Sequence, residues 1–128
     1  MSEAKSLAVV IAALRAQGSN AQSLADLNRM TTKPERYNQV VLTERPESTR
    51  RVGGSGGARA WRISILSVGR IYGDAQNERE VARRALKDQF LTFEDGSTAG
   101  VGVDSVEHDP IVPDEGWFSG SSSYVFDN

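Results

Sequence analysis

The sequence predicts an α+β fold: a mainly antiparallel sheet with two helices packed on it and a long mobile loop at the tip of one hairpin. Three observations predict it. A complete helical stripe opens the chain, two β-rich runs flank a glycine-rich stretch, and a second helical stretch precedes short runs of valine, isoleucine and aromatic residues. A chain of 128 residues has room for one domain, so 1–128 is read as a single domain with 44–59 as a flexible Gly/Arg-rich loop within it.

Each element follows from its own pattern. Over 2–17, Leu7, Val10, Ile11 and Leu14 form an i, i+3, i+4, i+7 set supported by alanines, with Ser2 as N-cap and Gly18 as the stop. Residues 19–36 are polar and read as a connector with one helical turn around 24–27. The run YNQVVLT at 37–43 is a strand closed by Pro46, and AWRISILSV at 60–68 alternates Trp61, Ile63 and Ile65 against Arg62 and Ser64, a half-buried strand. The two pair most simply as an antiparallel hairpin, leaving the stretch ERPESTRRVGGSGGA as its tip. After a turn at 69–73, Asp74 caps a helix predicted to run to about Leu91, with Ala82, Ala85, Leu86, Gln89, Phe90 and Phe93 near one face. A turn at 94–97 follows. Val101, Val103, Val106, Ile111 and Val112 then suggest one or two short strands broken by Pro110 and Pro113. Residues 114–117 read as a turn, and SSYVF at 122–126 as a closing strand docked on the sheet edge.

Composition narrows the function. There is no cysteine, which removes disulfide scaffolds, thiolate metal sites and thiol catalysis. The one histidine, His108, excludes sites that need two imidazoles. The longest strongly apolar stretch, 7–14, is far short of the roughly 20 residues that cross a bilayer, and no basic leader with a cleavage site precedes it. The chain therefore reads as soluble and intracellular at synthesis, with no membrane partner. Its formal charge of −2 argues against a general polyanion binder. The charges are segregated, however: 15 basic and 9 acidic side chains lie up to Phe93, against 8 acidic and no basic ones from Glu94 onward. Such a split serves either ion pairs within one subunit or complementary faces that meet between subunits.

No motif for chemistry survives inspection. The glycines at 53, 54, 56 and 57 precede a strand and lack a following Lys-Ser/Thr, so they do not form a phosphate loop. The acidic group Asp104, Glu107, His108, Asp109, Asp114 and Glu115 lacks calcium-loop spacing and reads as a solvated edge. The basic run Arg79, Arg83, Arg84 and Lys87 is interleaved with acids and reads as a solvated helix face. The chain is expected to be no enzyme, with no catalytic, metal-binding or cofactor-binding residues. The residues that suit a protein interface are Arg45, Arg50, Arg51, Arg59 and Arg62 around the loop, and Asp114, Glu115, Trp117 and Phe118 in the acidic third. Arginine and aromatic side chains are enriched as interface anchors.

The stretch at 113–126 reads P-D-E-G-W-F-S-G-S-S-S-Y-V-F. With the preceding helix, the short N-terminal helix and the hairpin with a polar tip, it resembles small neck proteins of tailed phages (siphoviruses) that infect actinobacteria, and among them the tail-terminator family. The resemblance implies a non-enzymatic virion protein in the tail neck, present in the host cytoplasm during assembly. Such subunits form a homo-hexameric ring that caps the tail tube, contacts the major tail tube protein and the head–tail connector, and leaves a passage for DNA. Two alternatives stand beside it. One is a head-completion or adaptor protein at the portal, the other a small nucleic-acid-binding module using the Arg-rich loop.

Overall fold

A computed structural model of the protein describes residues 3–45, 60–104 and 109–127. The elements are α1 (Glu3–Ala16), β1 (Ala21–Ser23), α2 (Leu24–Arg29), β2 (Arg36–Glu44), β3 (Ala60–Gly69), α3 (Tyr72–Leu86), β4 (Phe90–Thr92), β5 (Thr98–Gly100), β6 (Gly102–Val103), β7 (Val112–Asp114) and β8 (Trp117–Asp127). The α+β class predicted from the sequence is the class found. A six-stranded sheet runs β1-β2-β3-β8-β6, with β7 also paired to β8, and β4 and β5 form a separate small hairpin.

The β2–β3 hairpin forms in the expected antiparallel sense, from Arg36 opposite Gly69 to Glu44 opposite Trp61. Its tip, 46–59, predicted as the mobile loop, lies outside the described residues; Glu44, assigned to that loop, belongs to β2. The alternation of β3 puts Trp61, Ile63 and Ile65 into the core beneath α1 and α3, joined by Val40, Leu42, Tyr124 and Phe126 from the flanking strands. From α1 come Val10 and Leu14, fully buried, and from α3 Ala82, Ala85 and Leu86. Both helices lie on this one face. On the other face a smaller cluster of Leu27, Tyr37 and Val68 forms where α2 folds over one end of the sheet.

Several predicted boundaries shift for identifiable reasons. The connector at 19–36 contains a three-residue strand, β1, parallel to β2, and a capped helix, α2, in which the Ser23 hydroxyl accepts from the Asp26 N–H at 3.0 Å. The third helix begins two residues before Asp74, whose carboxylate lies in the first turn rather than at the cap. It ends at Leu86, five residues short of the predicted end. Asp88 takes a left-handed conformation (φ 58°) and Phe90–Thr92 then pairs with Thr98–Gly100 across the predicted 94–97 turn. Phe90 is consequently 75% exposed, while Leu91 and Phe93 point inward. The closing strand is longer than predicted and is no edge: it starts at Trp117, pairs with β3 along its length, and carries β6 and β7 on its far side. The turn before it is where the sequence puts it, with positive φ at Glu115 and Gly116. Val106 lies outside the described residues.

The helix layer is fastened by a buried carboxylate. Glu78 of α3 is 1% exposed, and its Oε1 accepts from the Ser19 hydroxyl (3.0 Å), the Asn20 N–H (3.3 Å) and the Asn38 side-chain amide (3.2 Å). Asn38 also donates to Ser19 Oγ and to the Glu78 carbonyl, and its own Oδ1 accepts from Ser67 at 2.7 Å. Close by, Gly69 ends β3 where α3 folds back: an added Cβ would sit 2.6 Å from the Ala75 nitrogen.

Replacing Glu78 by alanine takes the acceptor from the Ser19 hydroxyl and the Asn20 N–H, while the Asn38 amide keeps Ser19 Oγ and the residue-78 carbonyl; it is expected to lower stability by about 2–3 kcal/mol in urea unfolding, with a smaller loss for Glu78→Gln, which keeps an acceptor. A second expectation concerns pH. Burial raises the phenol pKa of Tyr37 and, despite the Ser122 hydrogen bond and Arg83 and Arg79, that of Tyr124 above the ordinary 10.0. The unfolded chain then releases these protons first. The stabilisation is complete below pH 10 and is lost as pH rises above it, so the urea midpoint should fall through that range, and less so in Tyr124→Phe.

Candidate protein-interface site

The residues singled out for an interface do not converge. They divide between the two ends of the sheet, because Arg62 lies two residues into the hairpin end of β3 while Phe118 pairs with Gly69 at its other end. Seven residues of strand separate the two, about 23 Å.

At the hairpin end the arginines are engaged within the subunit. The Arg45 guanidinium donates to Asp127 Oδ1 at 2.9 Å, joining the base of the hairpin to the end of β8. Arg62 reaches across β8 from its Nε to Asp104 Oδ2 at 2.8 Å, and the Asp104 side chain is only 7% exposed. Lys5 and Glu94 make a third, exposed pair at 3.2 Å. Part of the charge segregation therefore closes on itself. Arg50, Arg51 and Arg59 lie outside the described residues.

At the far end the β7–β8 turn carries an aromatic and charged cluster. Trp117 meets Tyr37 edge-on, with ring centroids 6.3 Å apart, and the Arg70 guanidinium sits over its ring at 4.0 Å. Phe118, on the other face, meets Tyr72 edge-on at 6.1 Å. Asp114 and Glu115 are exposed at the turn and help line a shallow cavity of about 280 Å³ with Lys33, Tyr37, Leu66 and Trp117. Tyr124 and Phe126, on the same strand as Trp117 and Phe118, belong instead to the core. Sequence reasoning missed Arg70, Ile71 and Tyr72, which stand beside this cluster, with Ile71 60% and Tyr72 49% exposed. The signal for them was present in R-I-Y-G: two large apolar residues in a turn, where burial is unavailable to both.

A third surface was not singled out at all. With α1 and α3 on one face and α2 over only one end of the other, that second face of β2, β3 and β8 presents partly exposed Gln39, Val41, Ser64, Leu66, Ser121, Ser123 and Val125. It is mostly uncharged and rich in serine. The rest of the predicted acidic edge is scattered. Asp109 accepts from the Ser121 hydroxyl at 2.6 Å, Glu107 and His108 lie outside the described residues, and no group of three or more potential metal ligands occurs among the described ones. Arg79, read as part of a solvated basic face, instead straps the segment after β6 to α3, donating to the Asp109 and Ser121 carbonyls. No described helix is long and apolar enough to cross a membrane.

The paired arginines yield a direct prediction. Because the Asp104 side chain is only 7% exposed, Arg62→Met removes a guanidinium from a nearly buried carboxylate and should cost the protein about 1–2 kcal/mol in chemical denaturation. An unchanged midpoint would mean that the pair contributes nothing within the subunit.

No family model matches the chain, and no curated protein is similar to it. A solved protein structure with 11% identical residues matches it over 97% of this chain and 90% of that one, with a TM-score of 0.58. That likeness is one of fold.

Proposed function

We propose that this chain is a non-catalytic structural subunit of a phage tail, a tail terminator that forms a homo-hexameric ring on the tail tube and joins it to the head connector. The observation that carries this reading is the one-sided architecture. With α1 and α3 on one face and α2 over only one end of the other, the described part of β2, β3 and β8 offers a mostly uncharged, partly exposed surface for contact with other subunits. The resemblance of 113–126 to the tail-terminator family supports it in a second way. That stretch forms β7, the turn and β8, so it supplies both core residues (Tyr124, Phe126) and open-face residues (Ser121, Ser123). The turn end adds Trp117, Phe118, Asp114 and Glu115, side chains of the kind that anchor protein interfaces.

In this reading each subunit matches the tube end with one face and lacks the face that would recruit another tube subunit, so growth stops at a ring closed by heterologous contacts. The arginines favour protein over nucleic acid as the partner, since Arg45 and Arg62 are directed to carboxylates and are not presented as a free row for phosphates.

The test is to measure mass by light scattering across protein concentration and to image the protein, mixed with tubes of a tail-tube protein from the same virion, by negative stain. Hexamers, or concentration-dependent assembly, together with rings at one end of the tubes are expected. A strict monomer that leaves tube ends bare would overturn the proposal.

A further inference from the structure

We infer that the open edge of β2 is a self-association site, at which two copies pair antiparallel through 42–44 with Thr43 facing its own counterpart across a twofold axis. The inference begins with the backbone. The Arg45 N–H donates to the Ala60 carbonyl at 2.7 Å and the Asn38 N–H to the Asn20 carbonyl at 3.0 Å. Odd-numbered residues of β2 thus turn their backbone groups to β3, and even-numbered ones turn them away. The short strand β1 lies opposite only Asn38, Gln39 and Val40. The N–H and C=O groups of Leu42 and Glu44 therefore face away from β3, and no hydrogen-bond partner meets them among the described residues.

The two edges of the sheet are treated differently. On the β8 side, Pro113 occupies the position next to the turn, opposite Phe118, where the backbone points outward, and it has no N–H to offer. β6 is two residues long. Those are the devices by which sheets avoid edge pairing. Along Val41, Leu42, Thr43 and Glu44 the β2 edge carries no proline, lysine or bulge, and its one charged residue is Glu44.

A second copy is the occupant because one register satisfies every open group. Pairing Leu42 with the counterpart of Glu44, and the reverse, forms four hydrogen bonds with Thr43 against Thr43 between them. Shifting by one pair in one direction sets two Glu44 carboxylates face to face; shifting in the other requires Val40, which β1 already occupies. The blunted β7 edge offers no equivalent partner for a head-to-tail sheet. This contact does not rest on the ring proposal, whose contacts are heterologous.

The chain has no cysteine, so single cysteines report this geometry cleanly. A non-hydrogen-bonded antiparallel pair places Cα atoms about 4.5 Å apart, within disulfide range. Thr43→Cys should form a covalent dimer under mild oxidant about tenfold faster than Gln39→Cys or Val41→Cys, which lie away from the axis. Adding Glu44→Pro removes one outward N–H without touching the bonds to β3, and should abolish that cross-link while circular dichroism stays unchanged. Cross-linking at 43 no faster than at 39 or 41, or surviving in a folded Glu44→Pro background, would overturn the inference. Should Glu44→Pro fail to fold, the three cysteine rates decide alone. A multimer that forms without cross-linking at 43 would overturn this inference and leave the ring proposal standing, whereas a strict monomer would overturn both.

Discussion

The fold depends on where Glu78 is held. A carboxylate with 1% exposure is costly to bury, and the cost is offset only because Ser19, Asn20 and Asn38 supply donors already fixed by their own elements, with the Arg36 Nε 3.8 Å from the second oxygen. Those donors come from the loop after α1 and from β2, and Ser67 of β3 orients Asn38 in turn. One side chain of α3 thereby fixes the angle of the helix against two strands and the point at which α1 hands over to β1. An apolar residue there would pack as well but would accept many neighbouring registers. The polar network is satisfied in one arrangement only.

That fastening has a consequence on the far side of the sheet. With α1 and α3 both committed to the face of Ile63, Ile65 and Tyr124, the short α2 is the one described helix on the other face, and it reaches the end around Tyr37 and Val68. The remainder carries serine, glutamine and a few aliphatic residues, a composition that tolerates water and also tolerates a neighbour. The same economy applies at the edges, where β1 stops after three residues. A chain of this length that covers one face thoroughly has little left with which to cover the second.

How much of this was legible follows from the range of the forces involved. The alternation in AWRISILSV and the stripe of Leu7, Val10, Ile11 and Leu14 are local patterns repeated over several residues, and both elements stand where those patterns put them. The end of α3 was not legible, because Gln89, Phe90 and Phe93 continue a helical face by spacing. What stops the helix is Asp88 in a left-handed conformation and the pairing of Phe90–Thr92 with a strand ten residues away. β1 escaped for the same reason: three residues carry no period, and their strand character is conferred by β2. Of the interface residues, Trp117, Phe118, Asp114 and Glu115 could be seen to share a turn, but that Arg70 and Tyr72 join them depends on Gly69 pairing with Phe118 across two strands. Only the fold contains that fact.

The segregation of charge along the chain is resolved differently at the two ends of the molecule, and this gives the split a physical meaning. At the hairpin end, basic residues from the first part of the sequence and acidic ones from the last third meet within the subunit, in Arg45–Asp127 and Arg62–Asp104. These pairs fix β8 beside β3 and hold the C-terminal segment to the hairpin base. At the other end Asp114 and Glu115 stand exposed on a two-residue turn with no ion pair among the described residues, beside an arginine spent on stacking with Trp117. A carboxylate pair in that position adds nothing to the stability of its own subunit, since exposed charges without partners are well solvated. What it can do is orient an approaching surface over a distance of about 8 Å at physiological salt. The charges are thus paired at the hairpin end and exposed at the turn end, beside Trp117 and Phe118.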